Sequence, residues 1–219
     1  MNATINSKYS RIAAATAETT IPDHISISSG NVKMGAIPSI SILPGVTCRD
    51  NAPCRKNCYA CRMCRYPNVK KAYTGNTALY MSDPDRYFSE LSRALMVNRF
   101  FRIHVAGDVI DMAYFDRLVK AVAANPHCEV LMFTKEYEIV NGFISDGGVI
   151  PANFHIIFSN WNNWKCDNPH GFPVTDVIPA GAECPVDGKL CGGNCFECAA
   201  ENGGCWNLQH GEKLYFHMH

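Results

Sequence analysis

The chain has 219 residues, and its 20 Lys and Arg are matched by 20 Asp and Glu, so it carries no formal net charge. That length supports one substantial core without a disulfide scaffold to hold it. The charge balance gives no global basic field for nucleic acid, and the longest apolar runs are strand-length, which argues against a membrane span.

Residues 1–30 are polar and rich in Ala, Thr and Ser, and read as a loosely held arm. The stretch "IAAATA" inside them is too short and too weakly apolar for a signal-peptide core. The expectation is a cytoplasmic, reducing environment, where clustered thiols bind metal more often than they pair.

A barrel-like domain is expected over residues 31–182. "SISILPG", Ser39–Gly45, is a short strand stopped by Pro44 and Gly45. A helix follows over Val69–Ser82, and "SDPDRYFSEL" starts another. There Asp83 caps, Pro84 suits the first turn, and Phe88, Leu91 and Leu95 share a face. "FFRIHVAGD" is a strand, and "DMAYFDRLVKAVAANP" an amphipathic helix with Phe115, Leu118, Val119 and Val122 on one side. "EVLMFTK" is a strand, "EYEIVNGFI" a short helix and "NFHIIFSNW" a further strand.

Strands spaced by helices in this way predict a parallel α/β fold. A partial or complete β/α barrel is the first choice and an open doubly wound sheet the second. Both gather chemistry beyond the C-terminal strand ends. That rim would carry the loop after the first strand, Gly107-Asp108, Thr134-Lys135 and Ser159-Asn160-Trp161.

Twelve cysteines are present and ten of them fall in two groups. Cys48, Cys54, Cys58, Cys61 and Cys64 lie in the loop after the first strand. Cys184, Cys191, Cys195, Cys198 and Cys205 lie in residues 183–219, read as a small C-terminal iron–sulfur module. Short spacings let one loop wrap several thiolates around a single centre, and both iron–sulfur clusters and zinc accept four. Neither group contains a histidine. The first is ringed by Arg49, Arg55, Lys56, Arg62, Arg65, Lys70 and Lys71, opposed by Asp50. This favours two [4Fe-4S] clusters, with zinc as the alternative and disulfides behind it. The basic ring offsets cluster charge, meets an anionic small-molecule substrate, or is merely solvated. Cys128 begins a strand away from the rim and reads as a buried inert thiol, whereas Cys166 would permit a third centre.

Among the polar candidates, Asp108 faces a cation or caps the next helix. Lys135 receives a carboxylate or phosphate, or is an exposed loop charge. His104 touches substrate or sits in the core. Ser159 lines a pocket with Asn160 and Trp161, unless Trp161 is core packing. "HMH" and His210 read as a solvated tail. No Gly-rich phosphate loop, Ser/His/Asp order or HExxH motif occurs.

Cys54-x3-Cys58-x2-Cys61 after a first strand resembles the loop of radical S-adenosylmethionine enzymes. That resemblance implies three cysteines on a cluster with one iron open to S-adenosylmethionine, and gives Gly107-Asp108 the place that receives the methionyl ammonium. Ala60 departs from the pattern, which has an aromatic before the last cysteine.

The stretches "SISILPGVTCRDNAPCRKNCYA", "FRIHVAGDVID", "LMFTK" and "IIFSNW" resemble the phage gene product 88 family. The resemblance implies a phage-encoded protein of the host cytoplasm, and brings no activity with it. It implies Cys48, Cys54 and Cys58 as the first ligands, with Cys61 or Cys64 closing the fourth position or serving another centre. The C-terminal group resembles auxiliary-cluster modules; Cys184, Cys195, Cys198 and Cys205 are the favoured set, with Cys191 surplus. The functional expectation is an iron–sulfur protein, of radical S-adenosylmethionine or redox type, served by an electron donor. A non-catalytic module binding a host protein or, less favoured, nucleic acid is the alternative.

Overall fold

A computed structural model describes residues 3–162, 164, 166–201 and 203–218, with side chains from residue 7 onward. In chain order the elements are α1 (Ala3–Thr16), β1 (Ile27–Ser28), β2 (Ser39–Ile40), α2 (Tyr59–Met63), α3 (Pro67–Ser82), α4 (Pro84–Met96) and β3 (Phe100–Ile103). Then follow α5 (Met112–Ala123), β4 (Glu129–Thr134), α6 (Tyr137–Ser145), β5 (Phe154–Ser159), β6 (Val174–Ile178), β7 (Lys189–Leu190), α7 (Cys195–Ala200) and β8 (Lys213–His217).

The strands form one eight-stranded sheet in the order β1-β2-β3-β4-β5-β6-β8-β7. Only the β1–β2 pair is antiparallel. The sheet stays open and is not a closed barrel. Nor is it doubly wound: β2 to β6 stand in chain order with no reversal, and α4, α5 and α6 share one core.

The helix starts follow local chemistry. Asp83 caps α4 by accepting from Arg86 N at 3.0 Å, with Pro84 in the first turn. Asp111 does the same for α5 through Tyr114 N at 2.7 Å. The apolar stripes of these helices, Phe88, Leu91 and Leu95, then Phe115, Leu118, Val119 and Val122, are all buried. They meet Phe101, Ile103, Val130, Met132, Phe154, Ile156 and Phe158 from alternate positions of β3, β4 and β5. Each such side chain withdrawn from water contributes about 1.5–3 kcal/mol.

The other sheet face is covered by the end of the chain. Leu131 and Ile157 pack there with Ala199, Cys205, Trp206 and Leu214. α7 and the 3-10 turn Gly204–Asn207 occupy the space that a closing barrel would enclose. β8 lies between β6 and β7, so the C-terminal cysteines belong to a segment woven into the main sheet.

The N-terminal segment also differs from a loose arm. α1 is fastened to the rim of the sheet. Lys8 Nζ bonds Glu136 Oε1 at 2.8 Å, Ile110 O at 3.0 Å and Val109 O at 3.4 Å. Tyr9 donates to Asp111 at 2.7 Å, Arg11 pairs with Asp50, and Ile12 is buried. Among the described residues no helix is long and apolar enough to cross a membrane.

Candidate functional site

The rim is built where β2, β3, β4 and β5 end. After β2 the chain bonds back to the tip of β3 through Ile42 N and Ala106 O at 3.1 Å. Gly107 makes this approach possible. Its φ is +82°, and a Cβ there would stand 2.5 Å from Ile42 Cγ1 and 2.7 Å from Ile42 O. Gly107 is therefore a packing requirement between two strand tips.

Asp108 follows it, 5% exposed. Its carboxylate accepts from Thr134 Oγ1 at 2.6 Å, Val109 N at 2.8 Å and Lys135 N at 2.9 Å. Burial pushes its pKa up, and those three donors oppose the shift. The group ties the tip of β3 to the tip of β4. It is a positioning residue and does not cap α5, a role taken by Asp111.

Lys135 extends from the end of β4 to Ser159 at the end of β5, Nζ to Oγ at 2.6 Å. Its carbonyl accepts from Arg49, which also grips Glu138 and lies over Trp164 at 4.9 Å. Asn160 donates to Asp176 at 2.9 Å, and Trp161 is half-buried. His104 turns away from the rim. It is 4% exposed, held at φ 54°, and its Nε2 lies 2.9 Å from Tyr114 OH. Burial lowers its pKa to about 3, so it is a neutral core residue remote from solvent.

Cys48, Cys54 and Cys58 come together beside these groups. Burial pushes the Cys48 thiol up to about 12, and the charges of Asp108, Cys58 and Cys54 act on it too. Cys54 is likewise raised by burial, opposed by Lys135. Cys58, Cys61 and Cys64 recur every three residues along α2, so they fall on one face of its turns. Cys61 touches Cys58, and burial raises it to about 12; Cys64 donates to Ala60 O at 3.5 Å.

The second group gathers on the opposite sheet face. Cys195 opens α7, whose first N–H groups are capped by Asn194 Oδ1 at 3.1 and 3.3 Å. Cys198 lies a turn later. Gly204, at φ +54°, carries no Cβ because one would stand 2.6 Å from Cys198 Sγ. Cys205 is buried beside Trp206, whose indole donates to Cys195 O at 3.2 Å. Burial raises Cys191, Cys198 and Cys205, and each is also acted on by other members of this set. Cys184 turns to Gly188 O at 3.7 Å instead. The structure thus joins Cys191, and not Cys184, to Cys195, Cys198 and Cys205.

Arg102 projects into this second group from the middle of β3. Its guanidinium lies over Phe133 at 4.9 Å and donates to Cys195 Sγ at 3.5 Å. Its Nε is buried with no partner. The charge of Arg102 acts on Cys191 and Cys205, and also on Tyr59, which the Cys54 and Cys58 thiols reach from the other side. The guanidinium therefore belongs to the second group, and its charge reaches the first only as far as Tyr59. Sequence reasoning passed over it; the signal was a charge at an alternate position of "FFRIH".

Among the described residues no three His, Cys, Asp or Glu side chains stand close enough, as placed, to hold a metal ion. The donor set nevertheless fits a thiophilic centre. Four neighbouring thiols, raised by burial where a shift is resolved, need a cation to deprotonate them, and an unpartnered buried N–H beside them suits the resulting negative charge. Cys166 lies against Tyr137, and burial raises it to about 11; Cys128 is fully buried, and burial raises it to about 12.

A family model described as gene product 88 matches residues 4–165. The chain belongs to the gene product 88 family. The matched span runs from α1 past β5 and holds the first thiol loop, Asp108, Lys135 and Ser159, while Cys166 and the C-terminal group lie beyond it. No curated protein and no solved structure matches the chain.

Proposed function

We propose that this gene product 88 family member is an iron–sulfur protein with redox activity at the rim of its sheet. Cys48, Cys54 and Cys58 would hold one centre and Cys191, Cys195, Cys198 and Cys205 the other. The observation that carries the reading is Arg102, a partly unsatisfied cation placed among the thiols of the second group. Such a residue suits a polyanionic thiolate centre better than it suits a neutral apolar interior.

A bound [4Fe-4S] cluster supplies single electrons. The chain supplies the surroundings. Lys135 offers a cation beside Cys54, and its bond to the Ser159 hydroxyl aims it across the rim, where it meets a carboxylate or phosphate of a substrate. Asp108 fixes the strand tips, and α1 closes one side through Lys8 and Tyr9. The finer form of the proposal is chemistry of the radical S-adenosylmethionine type, with Cys61 next to Cys58 as the third ligand of an open cluster. Zinc in both groups would give a purely structural protein.

Anaerobic purification followed by iron, acid-labile sulfide and zinc analysis tests this directly. Iron and sulfide in equal amounts, with visible charge-transfer absorption, are expected. Colourless protein containing zinc alone would end the redox reading. A change in the reduced cluster's electron paramagnetic resonance spectrum on adding S-adenosylmethionine is expected for the finer form, and its absence would leave only electron transfer.

A further inference from the structure

The chain as a whole is neutral, but its charge is not evenly spread. From Asn51 to Ser82 there are six cations, Arg55, Lys56, Arg62, Arg65, Lys70 and Lys71, and no carboxylate. All six are exposed. Arg55 alone has an acidic partner, Asp50; among the described residues the other five make no ion pair. They sit on α2, on the turn before it and on the first turns of α3, a bend that stands outside the sheet.

Large side chains share this bend and face water with the cations. Tyr59 is 55% exposed, Met63 38% and Tyr66 45%. The Arg65 guanidinium lies over the Tyr66 ring at 4.8 Å and bonds its hydroxyl at 2.8 Å. The Tyr59 hydroxyl donates to Val105 O and Arg65 covers one side of Tyr66, so both rings are held at the surface among the cations, apart from the core on the other side of α3. Beside them, α3 borders a cavity of about 250 Å³ against β1 and β2. Its lining is mainly apolar, with Ile27, Met34, Val69 and Val105, and carries the polar groups of Asn31 and Asn68. Drug-sized ligands occupy pockets from ~300 Å³ upward, so this one suits a smaller planar group with an apolar face and a polar edge, such as one base.

We propose that the α2–α3 bend is a binding surface for single-stranded nucleic acid. Phosphates run along Arg62, Arg65, Lys70 and Lys71, bases stack on Tyr59 and Tyr66, and one unstacked base enters the cavity beside Asn68. Charge complementarity selects the polyanion, and the exposed rings select a strand whose base faces are free. A duplex hides those faces. This surface shares α2 with Cys58, Cys61 and Cys64, so iron is measured on every sample whose binding is tested.

Fluorescence anisotropy with a labelled oligothymidylate, on the full chain purified without oxygen, tests the surface. Binding is expected at low salt, stronger than to a duplex of equal length or to polyglutamate. The triple variant Arg62→Ala/Lys70→Ala/Lys71→Ala should weaken it at least tenfold and flatten the slope of log affinity against log salt by about 2, at roughly 0.7 per lost phosphate contact. Tyr66→Ala should weaken binding by about tenfold with the slope unchanged. Lys70→Glu/Lys71→Glu is a second charge variant in case the triple variant misfolds. Absence of binding, equal affinity for duplex or polyglutamate, or indifference to all these variants would overturn the proposal. Iron and sulfide measured on the same samples keep its failure separate from that of the redox reading.

Discussion

The Arg102 guanidinium meets the Cys195 sulfur at 3.5 Å from a strand whose next residue, Ile103, is fully buried on the opposite face. Strand alternation forces this. Phe101 and Ile103 serve the helical core, so position 102 must point at the C-terminal segment. A long cation stands there with its Nε unpartnered, and under the proposed function its opposing charge is that of the thiolates on a bound centre.

Replacing Arg102 by Leu should therefore cost the C-terminal centre its counter-charge. The expected result is iron content reduced by the share of one centre, with the other retained; Arg102→Lys should keep both. Iron per chain, measured with acid-labile sulfide, decides it. Full iron in Arg102→Leu would show that the guanidinium serves packing against Phe133 alone.

The choice between Cys184 and Cys191 is equally open to experiment. Cys191 stands among Cys195, Cys198 and Cys205, whereas Cys184 bonds Gly188 O at 3.7 Å. Cys191→Ser should lose as much iron as Cys198→Ser, and Cys184→Ser none. The reverse result would restore a set in which the outermost cysteines span the segment.

That choice marks where sequence spacing stops being informative. Hydrophobic periodicity located α4, α5, β4 and β5, because a 3.6- or 2-residue repeat directly reports which side of an element is buried. It also placed Lys135 and Ser159 on one rim, now joined at 2.6 Å. Closure of the sheet was not legible, because it depends on what fills the second face, and there Trp206 and Cys205 arrive from the far end of the chain. α1 was missed because its anchors, Lys8 and Tyr9, are polar and their partners lie about a hundred residues away. The role of Asp108 was half visible: a carboxylate at a strand end demands partners, but only the fold shows that Thr134 and the backbone provide them.

His104 offers a titration with a single cause. In the folded chain burial holds its pKa at about 3, against 6.5 ordinarily, and Tyr114, which bonds its ring, carries no charge at neutral pH. Below pH 6.5 the unfolded chain takes up a proton there that the native chain refuses. Stability from this residue is therefore complete above pH 6.5 and drains away as pH falls toward 3, by up to roughly 5 kcal/mol. His104→Asn tolerates the positive φ and does not titrate. Urea midpoints should fall less steeply in this variant than in the parent between about pH 6.5 and 4. Parallel pH profiles would show that the imidazole is not held neutral.

The Lys8–Glu136 pair fastens α1, and its members are 7% and 6% exposed. Burial raises Glu136 to about 7; the Asp108 carboxylate adds to this, while Lys8 and Arg49 oppose it. Lys8→Met leaves that carboxylate buried without its partner, a change that costs about 3–5 kcal/mol where the acid stays ionised. An acid with a raised native pKa is fully tolerated below its ordinary pKa and becomes a burden as pH rises through the native one. The loss in Lys8→Met should therefore be large at about pH 8 and small at about pH 5, where Glu136 takes a proton. Lys8→Met/Glu136→Leu removes both charges and should recover most of the stability at the higher pH. Chemical denaturation of the three proteins at both pH values checks this. If Lys8→Met proves as stable as the parent at the higher pH, α1 is held by Ile12 and Tyr9 alone, and the rim does not depend on the pair.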